Sequence, residues 1–545
     1  MKFGLTATVV AAVAMAAFAP SLLNGFTFDD AFVVSANPGL ERLRSPAAYV
    51  SRDYFDLSGE ATWRPVVTAS YALDFALWGQ SPRGYHLTNL LWHAAAVVAW
   101  LFAFRSLGAS ARVSALAAVI YATHPVQSEA VCGVGFREDL QCAAFYGMAL
   151  ALWPAGGAIR REAPARRHGR YVAALLCFVL AALAKEMALS FPLLALAKVA
   201  GRGPQGDAKS RGNGRTGRWS GEEAGWLCAA GIVAAGLAAL SVGWTPAIRP
   251  ENPYAEAPPG VRLAAFPWIV AQYLRLLAFP WPLSVEHVVP MEGHAFWIAS
   301  GCALAGLLAL GSVSVLARRR FPAGLEAFVA FFVLLAPVSN LVPIYNPMAE
   351  RYLTLPLAAF AWTMAHALDA GIRGLERRRG RQAGRWAAIG LCAGMVALYG
   401  ALDWRRAADW RSSESLWGAE VARNSPSPRA WLNYAVALAE SGKFRQALPP
   451  IERAQTMASD HPRILNTLGW ICNEFGRFAQ ARAALEKAIA LQPDLGEAHL
   501  NLAVSLAGLN NRPAALRHAR RAVELLPHSE AARRNLDRLQ AAPER

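Results

Sequence analysis

An all-α fold is predicted, with a polytopic membrane helix bundle of about eleven spans followed by a C-terminal tetratricopeptide (TPR) α-solenoid. Three observations predict it: long apolar runs, arginine-rich loops between them, and a 34-residue period after the last run. The 545 residues are 55% hydrophobic and only 17% charged, too apolar for a soluble chain of this length. The net charge of +16 does not point to nucleic acid, because the basic residues sit in short loops between apolar runs rather than along one stripe. The seven cysteines are scattered without a CxxC pair and mostly lie inside apolar runs, so they read as small buried hydrophobes.

Runs long enough, or nearly so, to cross a bilayer lie at about 3–23, 87–105, 112–124, 139–156, 171–184, 187–200, 224–245, 296–317, 325–345, 352–370 and 386–403. Residues 3–23 also have the look of a signal peptide, but an uncleaved first span suits the single Lys2 and the acids that follow. The stretch 265–283 carries three prolines, Arg275 and two Trp, and reads as interfacial or re-entrant. With a cytoplasmic N-terminus, five Arg fall in loop 157–170, two Lys and four Arg in 198–223, Arg318–Arg320 in the next, and six Arg in 371–385. All of these loops are then inside, while the outer loops 24–86 and 246–295 hold more acids than bases. Eleven spans from an inside start place the C-terminus outside, on the side of Asp29 and Asp30.

The expected boundary falls at 406/407, between the membrane domain and a TPR domain over 407–541. Ala447, Ala481 and Ala515 recur at 34 residues, as do Ala454, Ala488 and Ala522, and Pro493 and Pro527. Small residues let paired helices approach, and proline ends the second helix of each pair. Three repeats are expected over about 428–529, with a partial helical unit at 407–425 and a capping helix at 529–541. Asn433 and Asn501 hold equivalent helix positions, with Thr467 between, where side-chain amides could bond an acceptor peptide backbone or serve as plain repeat filler.

The first outer loop, 24–86, is too long for a simple connector. Phe26-Thr27-Phe28-Asp29-Asp30 follows the first span directly; two carboxylates at a membrane edge either cap a short helix or do chemistry. Trp63-Arg64-Pro65 opens an amphipathic segment that runs to Trp78 and Gly79. His86, Asn89 and His93 then stack on one face of the second span, turned to a cavity or to a neighbouring helix. Further polar tips hold His124 and Glu129, then Arg137 and Asp139, then Lys185-Glu186, then Glu350-Arg351. Each adjacent pair alone reads as a local ion pair. Five such sites on one leaflet read better as a polar cavity at the lipid boundary. Carboxylates to activate a hydroxyl, with Arg and Lys to hold a phosphate leaving group, suit sugar transfer from a lipid-linked phosphate. A second carboxylate could orient the acceptor or hold a divalent metal, and the sequence fixes no cofactor.

The ordered stretches FTFDD (26–30), WRPVVTASYALDFALWG (63–79), GYHLTNLLWH (84–93), HPVQSEAV (124–131), FREDL (136–140), KE (185–186), ENPY (251–254) and AERYLTLP (349–356), followed by the TPRs, resemble the transmembrane-and-TPR-containing O-mannosyltransferases of the GT-C glycosyltransferase superfamily. That resemblance implies a GT-C-like bundle with the TPRs on the catalytic side, a polyprenyl-phosphate sugar donor, an inverting transfer and a protein Ser/Thr acceptor. It makes Asp29 or Asp30 the catalytic carboxylate, with Arg137, Lys185 and Arg351 as phosphate contacts. In a bacterium the outer face would be the periplasmic side of the inner membrane. The chain departs from the pattern in its short TPR array and in Phe136, where a small residue is expected. Two other classes compete: a non-catalytic TPR scaffold of an envelope complex, and a lipid-linked-sugar polymerase or transporter. The first needs no polar span tips, and the second needs polar residues at mid-span.

Overall fold

The computed structural model describes residues 3–35, 37–42, 48, 51, 62–154, 162–200, 221–244, 254, 257–340, 344 and 346–541. Residues 251–253 of ENPY, and 201–220 with most of the bases of that inner loop, lie outside them. All regular elements among the described residues are helical. The chain divides into two compact units, Met1–Arg411 and Ser412–Arg545.

The longer helices of the first unit are α1 (Phe3–Phe18), α2 (Pro65–Trp78), α3 (Pro82–Ser106), α4 (Ala111–Thr123), α5 (Arg137–Leu152), α6 (Pro164–Ala184), α7 (Phe191–Ala200), α8 (Gly221–Trp244), α9 (Pro259–Ala278), α10 (Gly293–Ala317), α11 (Pro322–Leu335), α12 (Leu357–Arg379) and α13 (Arg381–Asp409). Among the described residues, seven helical stretches are long and apolar enough to cross a membrane, and Ala111–Thr123 and Pro322–Val338 are shorter apolar helices. The predicted spans at 139–156 and 187–200 correspond to the shorter α5 and α7. Most of the 265–283 stretch, read from sequence as interfacial or re-entrant, lies in the 20-residue helix α9, which ends at Ala278 and by length and composition is one of the seven. Its Leu263, Phe266 and Pro267 lie against Ser300, Leu304 and Leu307 of α10 around a shared apolar cavity. Pro267 is accommodated inside the helix, whereas Pro280 and Pro282 follow its end at Ala278. With α9 in this arrangement, counting spans no longer decides sidedness.

Helix boundaries follow local chemistry. Pro65 opens α2 at the first turn, where a missing N–H costs nothing, and Gly79 ends it at φ +58°. The buried face of α2 is Val67, Thr68, Tyr71 and Asp74, a helical stripe with one acid in it. Helix α3 is central, with Tyr85, Ala96, Val97, Leu101 and Ala103 all fully buried. Helix α5 crosses it closely at Gly147, where a Cβ would come within 3.2 Å of the Trp100 nitrogen.

The second unit begins with α14 (Ser413–Ala422), whose N-cap Ser412 accepts from the Ser415 nitrogen at 3.1 Å. Three antiparallel pairs follow: α15 (Pro428–Glu440) with α16 (Phe444–Met457), α17 (Pro462–Glu474) with α18 (Phe478–Leu491), and α19 (Gly496–Gly508) with α20 (Arg512–Leu525). Helix α21 (Glu530–Ala541) closes the stack. The six alanines of the 34-residue period are all completely buried, at the places where helices cross. The turn inside each pair needs a left-handed residue at the same register. Gly442, Gly476 and Asn510 fill it at φ +73°, +68° and +60°. A Cβ on Gly469 would lie 2.4 Å from the Leu485 Cγ, so α17 and α18 approach only because that residue has no side chain. Gly469→Val is expected to destabilise the repeats by about 1–3 kcal/mol through overpacking, read as a lower melting temperature of the full chain.

Candidate active site

The acidic turn separates its two carboxylates. Phe28 adopts φ +54°, a left-handed conformation that costs an L-residue about 1–2 kcal/mol and needs surrounding contacts to hold it. Asp29 then faces outward and is exposed, whereas Asp30 is 1% exposed. The Asp30 Oδ2 accepts from the Thr27 nitrogen at 3.0 Å and its Oδ1 from the Gly135 nitrogen at 2.6 Å. Burial pushes the Asp30 carboxyl up to about 7, against the pull of the backbone N–H groups it accepts from. Just before the turn, the Gly25 N–H donates to the carbonyl of Arg411 at 3.0 Å. The last residue of the first unit is thus tied to the start of the acidic turn.

Beside the turn lies a layer of buried charge. Arg64, ahead of α2, pairs with Glu138 at 2.9 Å and with Glu186 at 3.2 Å. Lys185 pairs with Asp139 at 2.6 Å and lies 3.8 Å from Glu138. Arg351 binds Glu129 through its guanidinium, and its backbone N–H donates to the same carboxylate at 2.9 Å. The Lys185 Nζ and the Arg351 guanidinium flank the Tyr352 ring, at 5.4 and 5.1 Å from its centroid. The opening of this layer to solvent is at Arg64 and Glu186, whose side chains are 21% and 45% exposed. Burial alone would draw the three cations down. Glu186 and Glu138 at Arg64, Asp139 and Glu138 at Lys185, and Glu129 at Arg351 outweigh it and hold each above its ordinary value. Each of the three cations is paired with at least one of four carboxylates, which fixes it in place. The arrangement also answers the local-pair reading. Lys185 and Glu186 do not pair with each other, nor do Glu350 and Arg351; each reaches a residue distant in sequence.

Other predicted residues are placed elsewhere. Arg137 is fully buried, and its donors go to Asn89 Oδ1 (2.8 Å), Ser70 Oγ (3.3 Å) and Tyr85 O (3.1 Å), with Asp74 paired at 2.5 Å. It fastens α5 to α2 and α3 rather than meeting the cation layer. The ring Nε2–H of His86 donates to Gly25 O at 3.2 Å, that of His93 to Ala122 O at 2.9 Å, and that of His124 to Leu277 O at 2.9 Å. These three histidines tie helices and loops through backbone carbonyls. Glu350 accepts from the Ser284 N–H and from His287 at 3.3 Å, with Arg406 at 3.9 Å. In the second unit, the Asn501 amide donates to Asn466 Oδ1 at 2.9 Å, an inter-repeat bond, while Asn433 is half-buried on α15. Among the described residues, no three His, Cys, Asp or Glu side chains converge as a metal site would need.

Sequence reasoning passed over Asp74, Glu138, Tyr352, Arg406 and Gly135. Asp74 was findable as an acid on the apolar stripe of α2, and Glu138 as an acid inside FREDL.

Residues 462–495 and 496–521 match models of the tetratricopeptide repeat. The chain is 24% identical over 548 residues to mouse (Mus musculus) "Protein O-mannosyl-transferase TMTC3", covering 92% of this chain and 57% of that one. Fruit fly (Drosophila melanogaster) Tmtc3 is 25% identical, over 89% of this chain and 60% of its own length. Fly Tmtc1 is 30% identical over 189 residues, covering 34% and 21%. The chain thus spans less than two thirds of each of these relatives. From the acidic turn to its C-terminal tetratricopeptide repeats, the chain is similar to the transmembrane-and-TPR-containing protein O-mannosyl-transferases.

Proposed function

We propose that this chain is an integral-membrane, inverting glycosyltransferase that moves a sugar from a polyprenyl-phosphate donor to a protein Ser or Thr hydroxyl on the non-cytoplasmic face. The sugar is mannose by likeness to the names of its relatives. The observation that carries this reading is an exposed carboxylate, Asp29, on a turn whose Phe28 packs on Phe136, which lies in turn under Arg351 of a layer that also holds Arg64 and Lys185. The Asp29 carboxylate takes the proton of the acceptor hydroxyl while that oxygen forms a bond to the anomeric carbon. The bond from that carbon to the phosphate oxygen breaks, and the phosphate departs with the electron pair. A phosphate needs no proton to leave, so cations rather than a general acid serve it. Arg64, at the solvent-facing edge of the layer, is the first contact for the donor phosphate. The repeats present the acceptor segment.

The test is transfer by purified full-length protein in nanodiscs, from synthetic polyprenyl-phosphate mannose to Ser/Thr peptides, with the product anomer read by NMR. Inverted product supports the reading, and no transfer from any polyprenyl-phosphate sugar sinks it. Arg64→Ala is expected to raise the donor KM by about tenfold, the size of one charge-assisted contact of about 1.5 kcal/mol, while the acceptor KM stays unchanged. An effect confined to acceptor kinetics would move Arg64 out of the donor site.

A further inference from the structure

We propose that Asp30 is a positioning residue, a clasp that fastens the base-bearing turn to the Val134–Phe136 turn and so holds Asp29 in register with the cation layer. This rests on the reading of Asp29 as the base. Both Asp30 oxygens are committed to backbone N–H groups, of Thr27 and Gly135, and the side chain is buried, so it does not face a substrate. The partner turn is itself anchored at two carbonyls. Its Val134 carbonyl accepts from the Tyr71 hydroxyl at 2.7 Å, and the adjoining Gly133 carbonyl accepts from Asn89 at 3.1 Å. Asn89 is held in turn by the buried Arg137 at 2.8 Å. Gly135 fits the contact closely. A Cβ there would sit 3.2 Å from Asp30 Oδ1 and 3.5 Å from the Asp29 carbonyl carbon.

The same turn reaches the cations. The Phe136 ring packs on Phe28, centroids 5.6 Å apart, and lies under the Arg351 guanidinium at 4.3 Å. Phe136 therefore touches both the residue before the base and one of the phosphate-binding cations. That gives the departure from a small residue at this position a structural role. The titratable groups bearing on Asp30 are Asp29 and Cys132. An ionised Asp30 offers an acceptor to both N–H groups, whereas the protonated acid has turned one oxygen into a donor.

The experiment compares kcat, donor KM and pH profile for the full-length wild type, Asp29→Asn, Asp30→Asn and Gly135→Ala in nanodiscs. Asp30→Asn and Gly135→Ala are expected to lower kcat by about 10²-fold, the cost of misplacing a reacting group by about 1 Å, with donor KM within about twofold. Wild-type kcat should fall as pH drops through about 7, and Asp30→Asn should lack that limb. If both variants keep wild-type kcat while Asp29→Asn is inactive, the clasp is wrong and the base assignment stands. If Asp30→Asn is as inactive as Asp29→Asn but Gly135→Ala is unaffected, Asp30 acts on the reacting atoms and the clasp is overturned. An active Asp29→Asn overturns the underlying reading instead. Gly135→Ala keeps every polar group, so it decides the matter even where Asp30→Asn fails to fold.

Discussion

Asp29→Asn is expected to lower sugar transfer by about 10²–10⁴-fold, the contribution of a general base, with donor binding unchanged. The side chain is exposed, and an amide of the same shape replaces it without adding bulk. Stability should stay within about 0.5 kcal/mol of wild type, as for most surface substitutions. Loss of turnover without loss of melting temperature or donor affinity would separate chemistry from folding. Turnover kept at the wild-type rate would remove Asp29 from the mechanism.

The second large effect lies at Lys185. Its ammonium sits 2.6 Å from Asp139, and both side chains are buried. Lys185→Met leaves the Asp139 carboxylate buried without its ion-pair partner, which costs about 3–5 kcal/mol. The double variant Lys185→Met/Asp139→Leu removes both charges and is expected to recover most of that stability, because a buried pair replaced by apolar groups is often near neutral. If Lys185 serves the donor phosphate as proposed, the double variant does not recover transfer. A thermal melt and a transfer assay on the same samples check both halves. Recovery of transfer in the double variant would show that Lys185 serves only the fold.

Asp30 adds a pH dependence of opposite sense for stability and for activity. Its folded-state carboxyl is raised from 3.8 to about 7, so between those values the folded chain binds the proton more tightly than the unfolded one. Stability from this group is therefore full below about 3.8 and is lost as pH rises to about 7. Activity runs the other way, because the clasp needs the ionised form. Melting temperature against pH, wild type beside Asp30→Asn, reads the first trend independently of any donor.

Much of the architecture is legible in residue patterns, and the parts that are not have physical reasons. The 34-residue alanine period marks completely buried crossing points, because only small side chains let the helices of a repeat meet. The left-handed turn at Gly442, Gly476 and Asn510 was equally periodic but was hidden by the change from Gly to Asn. Arg64, Lys185 and Arg351 could be gathered on one face from their positions at helix ends. Their partners could not, because each pairing joins helices distant in sequence. Polar residues on a membrane helix turn inward whether they serve a site or only a neighbour. His86, His93 and His124 are thus indistinguishable by sequence from site residues, although each holds a backbone carbonyl. Two adjacent aspartates gave no clue to which is buried, since that is set by the left-handed Phe28 and by the approach of Gly135.

Asp29 can act on an acceptor held by the repeats only if the acidic turn and the repeats lie together on the non-cytoplasmic face. Single cysteines at Asp29 and Glu530 in an otherwise cysteine-free chain, probed in intact cells with a membrane-impermeant thiol reagent, test this most directly. Labelling of both without permeabilisation is predicted. Protection of either position until the membrane is opened would contradict it.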